Sequence, residues 1–521
     1  MRRVRTRFAP SPTGFLHIGG IRTALYNYLL SKHYNGDFIL RIEDTDQTRF
    51  VPEAQDYIIQ SLNWLKIIPN EGVGVGGACA PYIQSQRKKI YQDYALRLVD
   101  MGWAYYAFDT EAELEAMHQR LISSNISNPQ YNFISREFMK NSLTLSKQEV
   151  RDRIDNGEPY VIRFKIPPKE TIRFHDVVRG WIKVDSSTLD DKVLLKSDGM
   201  ATYHLASVVD DHLMNISHVI RGEEWLPSAP LHILMYKTLG WDDTMPYFIH
   251  LSLLLKPDGK GKLSKRDADE GGFSIFPLSY FDARLGKNVV GLREKGFLPE
   301  AIINAISLLG WSPGGNKEIY NLDELIEAFS VEKLQKAGAR FNFKKIEWFN
   351  HQFIIRKSIQ EILEYIKSKA PEEWYNKYSC EQLEQIGVLA RERATTTDEI
   401  YTIVKPFFEN IKICDVQIDK LVSIFNKNKI DVAICFITKF LESIENQHWH
   451  KEELHDTIKY QLSQDGLELK DVMPIFRMAI FGNINGPDII ISIIILGQDI
   501  TLQRVNNFKT IIASYYEKIS K

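Results

Sequence analysis

The first 65 residues alternate between short apolar runs and helical spacing. Residues 4–8 and 37–42 are compact apolar segments of strand length, whereas IRTALYNYLLSKHY spaces Ile21, Leu25 and Leu29 along one face of a helix. The segment PEAQDYIIQSLNWL continues this pattern with a second helix. Strand, helix and strand in this order predict a βαβ unit, and therefore a parallel sheet with its ligand at the carboxyl ends of the strands.

The pattern changes from residue 103 to residue 202. Polar helical segments such as EAELEAMHQRLISS give way to strand-like YVIRFKIP and FHDVVRGWIKV, which predicts an inserted α+β domain. Apolar α/β patterning resumes over 203–256 with YHLASVVDDHLM and SHVIRG. After a Gly-rich loop the chain turns helical, and Pro299 stands in the first turn of a predicted helix.

These patterns predict a multidomain α/β chain, with a Rossmann-like parallel sheet split by an α+β insertion and followed by an all-α C-terminal region. The predicted parts are 1–102, the first half of the sheet domain; 103–202, the insertion; 203–256, the second half; 257–338, which contains KLSKR; and 339–521, the helical region. A chain of 521 residues is too long for one core, which agrees with several domains.

Composition changes this picture little. Hydrophobic content of 44% and a formal charge of -2 are ordinary for a globular protein, and a nucleic-acid partner is not excluded because binding depends on local patches. The four cysteines show no CxxC spacing, which argues against a zinc site or a disulfide framework. We expect a cytoplasmic protein without membrane association, since no apolar run has the ~20 residues needed to cross a bilayer.

Two segments carry candidate chemistry. APSPTGFLHIGG lies between the first strand and the first helix, where Gly19 and Gly20 permit close approach of a phosphate and His17 can donate to it. KLSKR places Lys262 and Lys265 on a Gly-flanked loop, which suits stabilisation of departing pyrophosphate. Taken singly, the first is more often a structural turn and the second a solvated loop.

Together these segments resemble the two signature motifs of class I aminoacyl-tRNA synthetases. More narrowly, RFAPSPTGFLHIGG, RIEDTD, YHLASVVDDHLM, VIRGEEW and LSKR are similar in order and spacing to the bacterial glutamyl-tRNA synthetase family. The resemblance extends to the end of the chain. It implies an acceptor-stem-binding insertion, a stem-contact domain around KLSKR, an anticodon-binding helical region, and ligation of L-glutamate to tRNA(Glu) through an adenylate.

The resemblance also implies residue roles. His17, Lys262 and Lys265 would be catalytic, and ATP would contact His17, Gly19, Gly20, Glu224, Lys262 and Lys265, together with Mg²⁺. Glutamate would contact Arg7, Ala9, Ser11, Glu43, Tyr203, Ser207, Arg221 and Trp225. Two arginines suit the two carboxylates because a guanidinium pairs with a carboxylate in bidentate geometry. The expected partners are tRNA(Glu), ATP and L-glutamate, with the chain as a monomer.

Structural alternatives stand beside these roles. Arg7 and Glu43 can form an ion pair at strand ends, Asp44 and Asp46 can be N-caps of the following helix, and Trp225 can belong to the core. Arg266 has no assigned role. In the insertion, Arg136, Arg163 and Lys165 lie among aromatic residues and are candidates for tRNA contact, although a solvated face has the same composition.

The sequence departs from the family pattern at three places. Gly20 replaces a second histidine of the first signature, and Ser207 stands where many relatives carry asparagine beside the amino-acid pocket. The segment AYYAFDTEAELE has Ala107 and Phe108 where some relatives carry zinc-binding cysteines, so no zinc is expected.

Three other functions compete with this one. A shortened paralogue that charges a modified anticodon base lacks the helical C-terminal region, and a glutaminyl-specific enzyme ends in β-barrels. A tRNA-binding protein without catalysis is opposed by the presence of His17, Lys262 and Lys265.

Overall fold

The computed structural model describes residues 2–126, 128–264, 267, 270–283, 285–445 and 449–519. Lys265 and Arg266, two residues of the predicted phosphate loop, lie outside these ranges. The chain divides into two compact units: Met1–Glu294 with Pro299–Ile346, and Lys295–Leu298 with Glu347–Lys521. The predicted multidomain organisation, α/β first and all-α afterwards, is confirmed.

The predicted βαβ unit forms the first sheet. Strands Arg5–Phe8, Asp37–Leu40 and Glu71–Gly72 are parallel, and helix Ile18–His33 makes the crossover between the first two. Phe8 pairs with Leu40 in the ladder. The apolar residues of this helix recur at helical spacing, and the helix is buried on most sides, against the sheet and against later helices of the same unit.

A second, four-stranded sheet lies beside it in the described part of the chain. Its order is Gly180–Asp185, Thr171–Asp176, Tyr247–Leu251 and His218–Gly222; the first pair is antiparallel and the others are parallel. The backbone N–H of Ser217 donates to the carbonyl oxygen of Arg5 at 2.9 Å and joins the two sheets. Strands from the two halves therefore end side by side, and a parallel sheet binds ligands where its order reverses in this way.

The hairpin Thr171–Asp176 and Gly180–Asp185 joins the four-stranded sheet, although it lies between the predicted boundaries of the insertion. Asp176 of the hairpin pairs with Phe248 of that sheet. The antiparallel sheet of the insertion consists instead of Ala104–Ala107, Val161–Phe164 and Val193–Leu195. The alternating pattern of the hairpin predicts strands but does not identify the neighbouring strand, so this pairing could not be inferred from the pattern alone.

The first unit also contains helices outside the crossover Ile18–His33. They are Pro52–Trp64, Lys88–Asp100, Glu111–Ser123, Lys147–Asp155, Tyr203–Leu213, Ala229–Thr238, Pro299–Ser307 and Leu322–Ala328. Pro299 begins its helix, as predicted. Shorter ladders join Tyr280–Asp282 to Lys287–Val289 and Leu254–Leu255 to Ala339–Arg340. Short 3-10 turns occupy Gln47–Arg49, Gln84–Arg87, Ser135–Phe138, Ser186–Thr188, Glu223–Ser228, Asp242–Thr244, Val331–Lys333 and Glu372–Asn376.

The second unit is helical, as its amphipathic spacing predicted. Helix Phe343–Ile355 leads into it, followed by Ile359–Lys369, Cys380–Arg393, Thr397–Phe408, Asp415–Ile424, Lys427–Ser443, Lys451–Asp465, Leu469–Phe481, Ile489–Leu496 and Gln498–Ile519. Their apolar faces form one core. Within the described residues no single helix has the length and apolar character to cross a membrane, although the bent pair Ile489–Leu496 and Gln498–Ile519 passes on those criteria together.

Candidate active site

A cleft of about 350 Å³ opens at the carboxyl ends of the strands, where the two sheets meet. Most of the residues predicted for the site line it: Arg7, Ala9, Ser11, His17, Gly19, Gly20, Glu43, Tyr203, Arg221, Glu224, Trp225 and Lys262. They come from segments as far apart in the chain as Arg7 and Lys262. The fold therefore brings both signature segments to one cavity.

His17 occupies the N-cap position of helix Ile18–His33. Its Nδ1 accepts a hydrogen bond from the backbone N–H of Gly19 at 3.1 Å, so the neutral ring carries its hydrogen on Nε2. A Cβ at Gly19 would lie 2.8 Å from the His17 ring, which explains the need for glycine there. The cleft thus receives a ring donor and the amide end of a helix, a combination that suits a phosphate.

A buried charge network forms one wall of the cleft. Arg7 contacts both carboxylate oxygens of Asp211, from Nε at 3.0 Å and from Nη2 at 3.3 Å. Arg41 donates to Asp211 at 2.8 Å and to Glu43 at 2.9 Å. The sequence-based alternative of a direct Arg7–Glu43 pair is therefore wrong, because each residue has a different principal partner.

Burial and charge act in opposite directions on the two carboxylates of this wall. Burial raises the pKa of Glu43, even though Arg41 and Arg7 favour its ionised form. Burial also acts to raise the pKa of Asp211, but Arg7 and Arg41 outweigh it and the pKa falls. Asp211 is therefore the anion that holds the two arginines, whereas Glu43 is the carboxylate with the less stable charge.

Arg221 is held on the opposite wall by three acceptors. Its Nε donates to Nε2 of His250 at 3.0 Å, its Nη1 to the hydroxyl of Tyr203 at 2.6 Å, and its Nη2 to the carbonyl oxygen of Trp225 at 3.2 Å. Since Nε2 of His250 must accept, Nδ1 carries the ring hydrogen and donates to Asp176 at 2.7 Å. The guanidinium orientation is thus fixed from behind.

Burial lowers the pKa of His250, and the charge of Arg221 acts in the same direction, although the hydrogen bond to Asp176 opposes it. Neutral His250 can accept from Arg221, whereas a protonated ring cannot. The pKa of Tyr203 is raised, chiefly by burial, so its hydroxyl stays protonated. This wall therefore presents one cation supported by neutral groups.

The outer part of the cleft carries Lys262, Glu224 and Trp225. Nζ of Lys262 lies 3.3 Å from a carboxylate oxygen of Glu224, and both side chains are largely exposed. The Trp225 ring packs on Tyr203 with 4.5 Å between centroids, and 40% of Trp225 is exposed. The alternative of Trp225 as a core residue is wrong, since its ring faces the cavity.

Ser207 does not line the cleft. It lies one helical turn after Tyr203 and one turn before Asp211, with 1% of its surface exposed. Within the described residues its hydroxyl oxygen has no hydrogen-bond partner. The structure therefore separates Ser207 from the other predicted glutamate contacts.

Asp44 and Asp46 do not cap the helix Pro52–Trp64, whose N-cap is Val51. Asp46 accepts from the backbone N–H of Arg49 and caps a short 3-10 turn, while Asp44 accepts from Ser85 at 2.7 Å. The prediction that they cap the following helix is therefore wrong, although Asp46 does cap a short 3-10 turn and Asp44 does accept a backbone hydrogen bond.

The insertion buries two of the three candidate tRNA contacts. Arg136 pairs with the carboxylate of Asp191 at 3.1 Å, and Arg163 donates to the Asp191 carbonyl oxygen at 3.0 Å. Arg163 also lies 4.0 Å from the centre of the Tyr131 ring. Both arginines hold the insertion together and do not present their charge to a partner in this conformation. Lys165 is only partly buried.

The sequence analysis missed one residue that lines the cleft and two that lie behind its walls. Arg22 lines the cleft and donates to the carbonyl oxygens of Ser252 and Leu309, the latter at 3.2 Å. Asp211 and His250 support Arg7 and Arg221 from behind. Consecutive carboxylates in an apolar helix, VVDDH, are the signal that could have identified Asp211, because such groups are rarely buried unpaired.

Among the described residues there is no group of three or more His, Cys, Asp or Glu side chains placed to hold a metal ion. Cys79 is partly buried, and the other three cysteines are exposed and unpaired with one another.

Comparison with known proteins agrees with this site. The profile described as "tRNA synthetases class I (E and Q), catalytic domain" matches residues 3–348, and "Anticodon binding domain" matches residues 357–509. The fold and cleft therefore define a class I aminoacyl-tRNA synthetase.

Individual relatives narrow the class. The glutamate–tRNA ligase of Amoebophilus asiaticus is 53% identical over 98% of this chain and 98% of its own length. That of Cytophaga hutchinsonii is 48% identical over 97% of this chain and 96% of its own length. A crystal structure of a glutamate tRNA ligase from Elizabethkingia meningosepticum, in complex with its amino acid, superposes with a TM-score of 0.83 at 43% identity, covering 97% of this chain and 99% of that one. The chain belongs to the glutamate–tRNA ligase family.

Proposed function

We propose that the protein ligates L-glutamate to tRNA(Glu) at the expense of ATP, through a glutamyl-adenylate, with release of AMP and diphosphate. One observation carries the proposal: two arginines and a carboxylate for an acidic amino acid share a cleft with the amide end of a helix, His17 and Lys262. Glutamate has two carboxylates and one ammonium group, which match Arg7, Arg221 and Glu43 in number and charge.

The proposed glutamate contacts follow from the two walls. Arg221 is held from behind by neutral groups, so its charge is available to a substrate carboxylate. Arg7 is already paired with Asp211, and it serves a second carboxylate through the donor positions that this pair leaves. Glu43 would accept from the ammonium group, whose positive charge would stabilise the ionised carboxylate.

ATP would lie along the other side of the cleft. His17 and the amide groups of Gly19 and Gly20 would contact the phosphates, and Glu224 would accept from the ribose or the base. Lys262, with Lys265 three positions later in the sequence, would stabilise pyrophosphate as it leaves. Mg²⁺ would enter with the ATP phosphates and neutralise part of their charge.

The helical second unit supports the tRNA part of the proposal. Its match to an anticodon-binding domain opposes the shortened paralogue, and its helices oppose the glutaminyl branch with β-barrels. We propose that the protein acts as a monomer in the cytoplasm, with tRNA(Glu), ATP and L-glutamate as its partners. The non-catalytic alternative is opposed by the presence of His17 and Lys262 in one cleft.

ATP–pyrophosphate exchange tests the proposal when glutamate, glutamine or no amino acid is supplied, each with and without tRNA. We expect exchange with glutamate, with a dependence on tRNA that the family resemblance implies. Exchange with glutamine alone would overturn the specificity, and the absence of exchange and charging with every amino acid would favour a non-catalytic protein. Arg221→Ala should raise the Michaelis constant for glutamate at least tenfold, and an unchanged constant would remove Arg221 from the glutamate site.

A further inference from the structure

Aromatic side chains form a row across one face of the four-stranded sheet, at the end away from the cleft. Trp181 is paired with His175 across the hairpin, and Tyr247 is paired with His218 across the two parallel strands. The two middle strands pair at Asp176 and Phe248. His175 and Tyr247 each stand one residue earlier on these parallel strands, so they lie on the same face. Each strand therefore contributes one ring, and we call Trp181, His175, Tyr247 and His218 the ring row.

Trp181, His175 and Tyr247 are exposed, whereas His218 is partly buried. Trp181 is 63% exposed and Tyr247 66% exposed. The rings form two contacting pairs on neighbouring strands, with 5.3 Å between the centroids of His175 and Trp181 and 5.2 Å between those of His218 and Tyr247. Large aromatic residues that are exposed singly are common, but two ring pairs side by side on one sheet face are typical of a binding surface.

Unpaired cations adjoin the row at the hairpin. Arg173 and Lys183 are directly opposite each other on the same face, and like charges in this position destabilise a strand pair. The guanidinium of Arg173 lies 4.3 Å from the Trp181 ring centre. Within the described residues neither cation has a carboxylate within 4.0 Å; Asp185, further along this face, is engaged by Ser187 at 2.7 and 2.8 Å. A polyanion would relieve this repulsion.

The opposite end of the row is also positive. Arg2 donates to the carbonyl oxygens of Thr244 at 2.7 Å and Ile216 at 2.9 Å. Burial and the charge of Arg2 lower the pKa of His218 to about 4, so its ring is neutral near pH 7. A neutral ring can stack on a nucleobase, while Arg2 adds positive charge beside it.

We propose that the ring row, with Arg173 and Lys183, docks unpaired nucleotides of the substrate tRNA. Exposed aromatic rings on a sheet face stack on bases, and adjacent arginine and lysine side chains contact the phosphates. Three inter-strand steps span about 14 Å, which is room for two or three nucleotides. This inference rests on the proposed function only in taking tRNA as the RNA that the protein meets.

The surface is distinct from the reaction centre. His218 and Tyr247 begin their strands, whereas the cleft lies beyond the other ends of those strands, about 13 Å further along for five residues. A nucleotide on the ring row therefore contributes to tRNA affinity and leaves the chemical step unchanged. A protein partner fits less well, because opposed unpaired cations are poorly satisfied in a protein interface, whose centre is depleted of charge.

Binding of tRNA(Glu) to the full chain tests this surface. Trp181→Ala and Tyr247→Ala should each weaken tRNA affinity about tenfold, which corresponds to about 1.4 kcal/mol, with the charging rate at saturating tRNA retained. Trp181→Phe keeps a ring and should retain most of the affinity. Tyr34→Ala removes another tyrosine of the same unit, 55% exposed and outside the row, and serves as the matched control.

The phosphate contacts have a separate signature. Arg173→Gln and Lys183→Gln should each reduce by about one the number of counterions released on tRNA binding, measured as the slope of affinity against salt. Nuclease footprinting should show protected unpaired nucleotides that become accessible in Trp181→Ala.

Unchanged affinity, salt slope and footprint in these variants would overturn the docking surface while leaving the proposed ligase function intact. An equal loss of tRNA affinity in Tyr34→Ala would overturn it as well. A change in the molecular mass of the RNA-free protein on Trp181→Ala substitution would also overturn it, because it would show that the surface is a contact between copies of the chain. Failure of the unaltered protein to charge tRNA would instead contradict the proposed function.

Discussion

His250 accepts a hydrogen bond from Arg221, with 3.0 Å between its Nε2 and the arginine Nε. Asp176 fixes the ring tautomer that makes this possible, since it accepts from Nδ1 on the other side. Both His250 and Asp176 are completely buried, so the pair cannot exchange its partners for bulk water. The orientation of a cation in the cleft thus depends on two residues that do not line it.

Asp176→Asn should raise the Michaelis constant for glutamate about tenfold with a smaller effect on kcat. The asparagine NH₂ group would donate to Nδ1, the ring hydrogen would move to Nε2, and two donors would then face each other at Arg221. Steady-state kinetics at saturating ATP and tRNA measure the change. His250→Gln, which can offer an amide oxygen to Arg221, should be milder than His250→Phe; equal defects in the two would indicate packing and not hydrogen bonding.

Lys262→Ala and Lys265→Ala should each slow adenylate formation at least tenfold, about 1.4 kcal/mol, because the departing pyrophosphate loses a cation. Lys260→Ala is the matched control: Lys260 lies on the same loop, is exposed and does not line the cleft. Pre-steady-state ATP consumption measures the step. Loss of tRNA affinity with a normal activation rate would refute this role.

Glu43→Gln should uncouple stability from activity. Burial raises the pKa of Glu43, so ionising this carboxyl group lowers the free energy of unfolding. The loss is absent below the pKa of the unfolded chain, where Glu43 is protonated in both states, and it develops as pH rises through the higher pKa of the folded protein. The stability of the natural protein relative to Glu43→Gln should therefore decrease as pH rises through that window, and denaturant unfolding at several pH values measures it. Glutamate activation should fall strongly in the variant. A stability difference independent of pH would contradict the raised pKa.

Ser207→Ala tests whether the buried Ser207 hydroxyl contributes to folding stability or to glutamate binding. Because the Ser207 oxygen has no hydrogen-bond partner in the described part of the protein, its removal should leave the melting temperature unchanged or slightly higher. We expect the Michaelis constant for glutamate to change less than twofold, since Ser207 lies behind the cleft wall. A larger rise would restore the sequence-based assignment of Ser207 to the glutamate site.

Acid should weaken the wall built on Asp211. Its pKa is lowered because Arg7 and Arg41 outweigh burial, so the carboxylate contributes stability above its unfolded pKa of about 4 that is lost as pH falls through the folded value. Asp211→Asn should reduce the unfolding free energy at pH 7 by about 3 kcal/mol or more, since two buried guanidinium groups lose their common anion. The deficit should shrink towards acidic pH in denaturant titrations, and a deficit that grows would contradict this sign.

The sequence alone identified the residues that bring their own chemistry to the cleft. His17 and Lys262 stand in Gly-flanked segments whose local composition already suggests phosphate contact, whereas Arg7 was assigned through the resemblance of RFAPSPTGFLHIGG to a family motif. The alternation of apolar spacing likewise determined a parallel βαβ start and a helical end. These features depend on residues close together in the chain, so they can be predicted from the sequence.

Only the tertiary structure decided which groups support those residues. Asp211, Asp176 and His250 are far in the chain from the arginines that they orient, and the fold brings them together in buried hydrogen-bond networks. In these networks the pKa of Asp211 is lowered by Arg7 and Arg41, and the pKa of His250 is lowered by burial. Arg136 is a further example: the sequence made it a candidate for contact with tRNA, but in the fold its guanidinium pairs with Asp191. Strand neighbours and burial arise from long-range packing, so the partner of a charged side chain cannot be inferred from its local sequence.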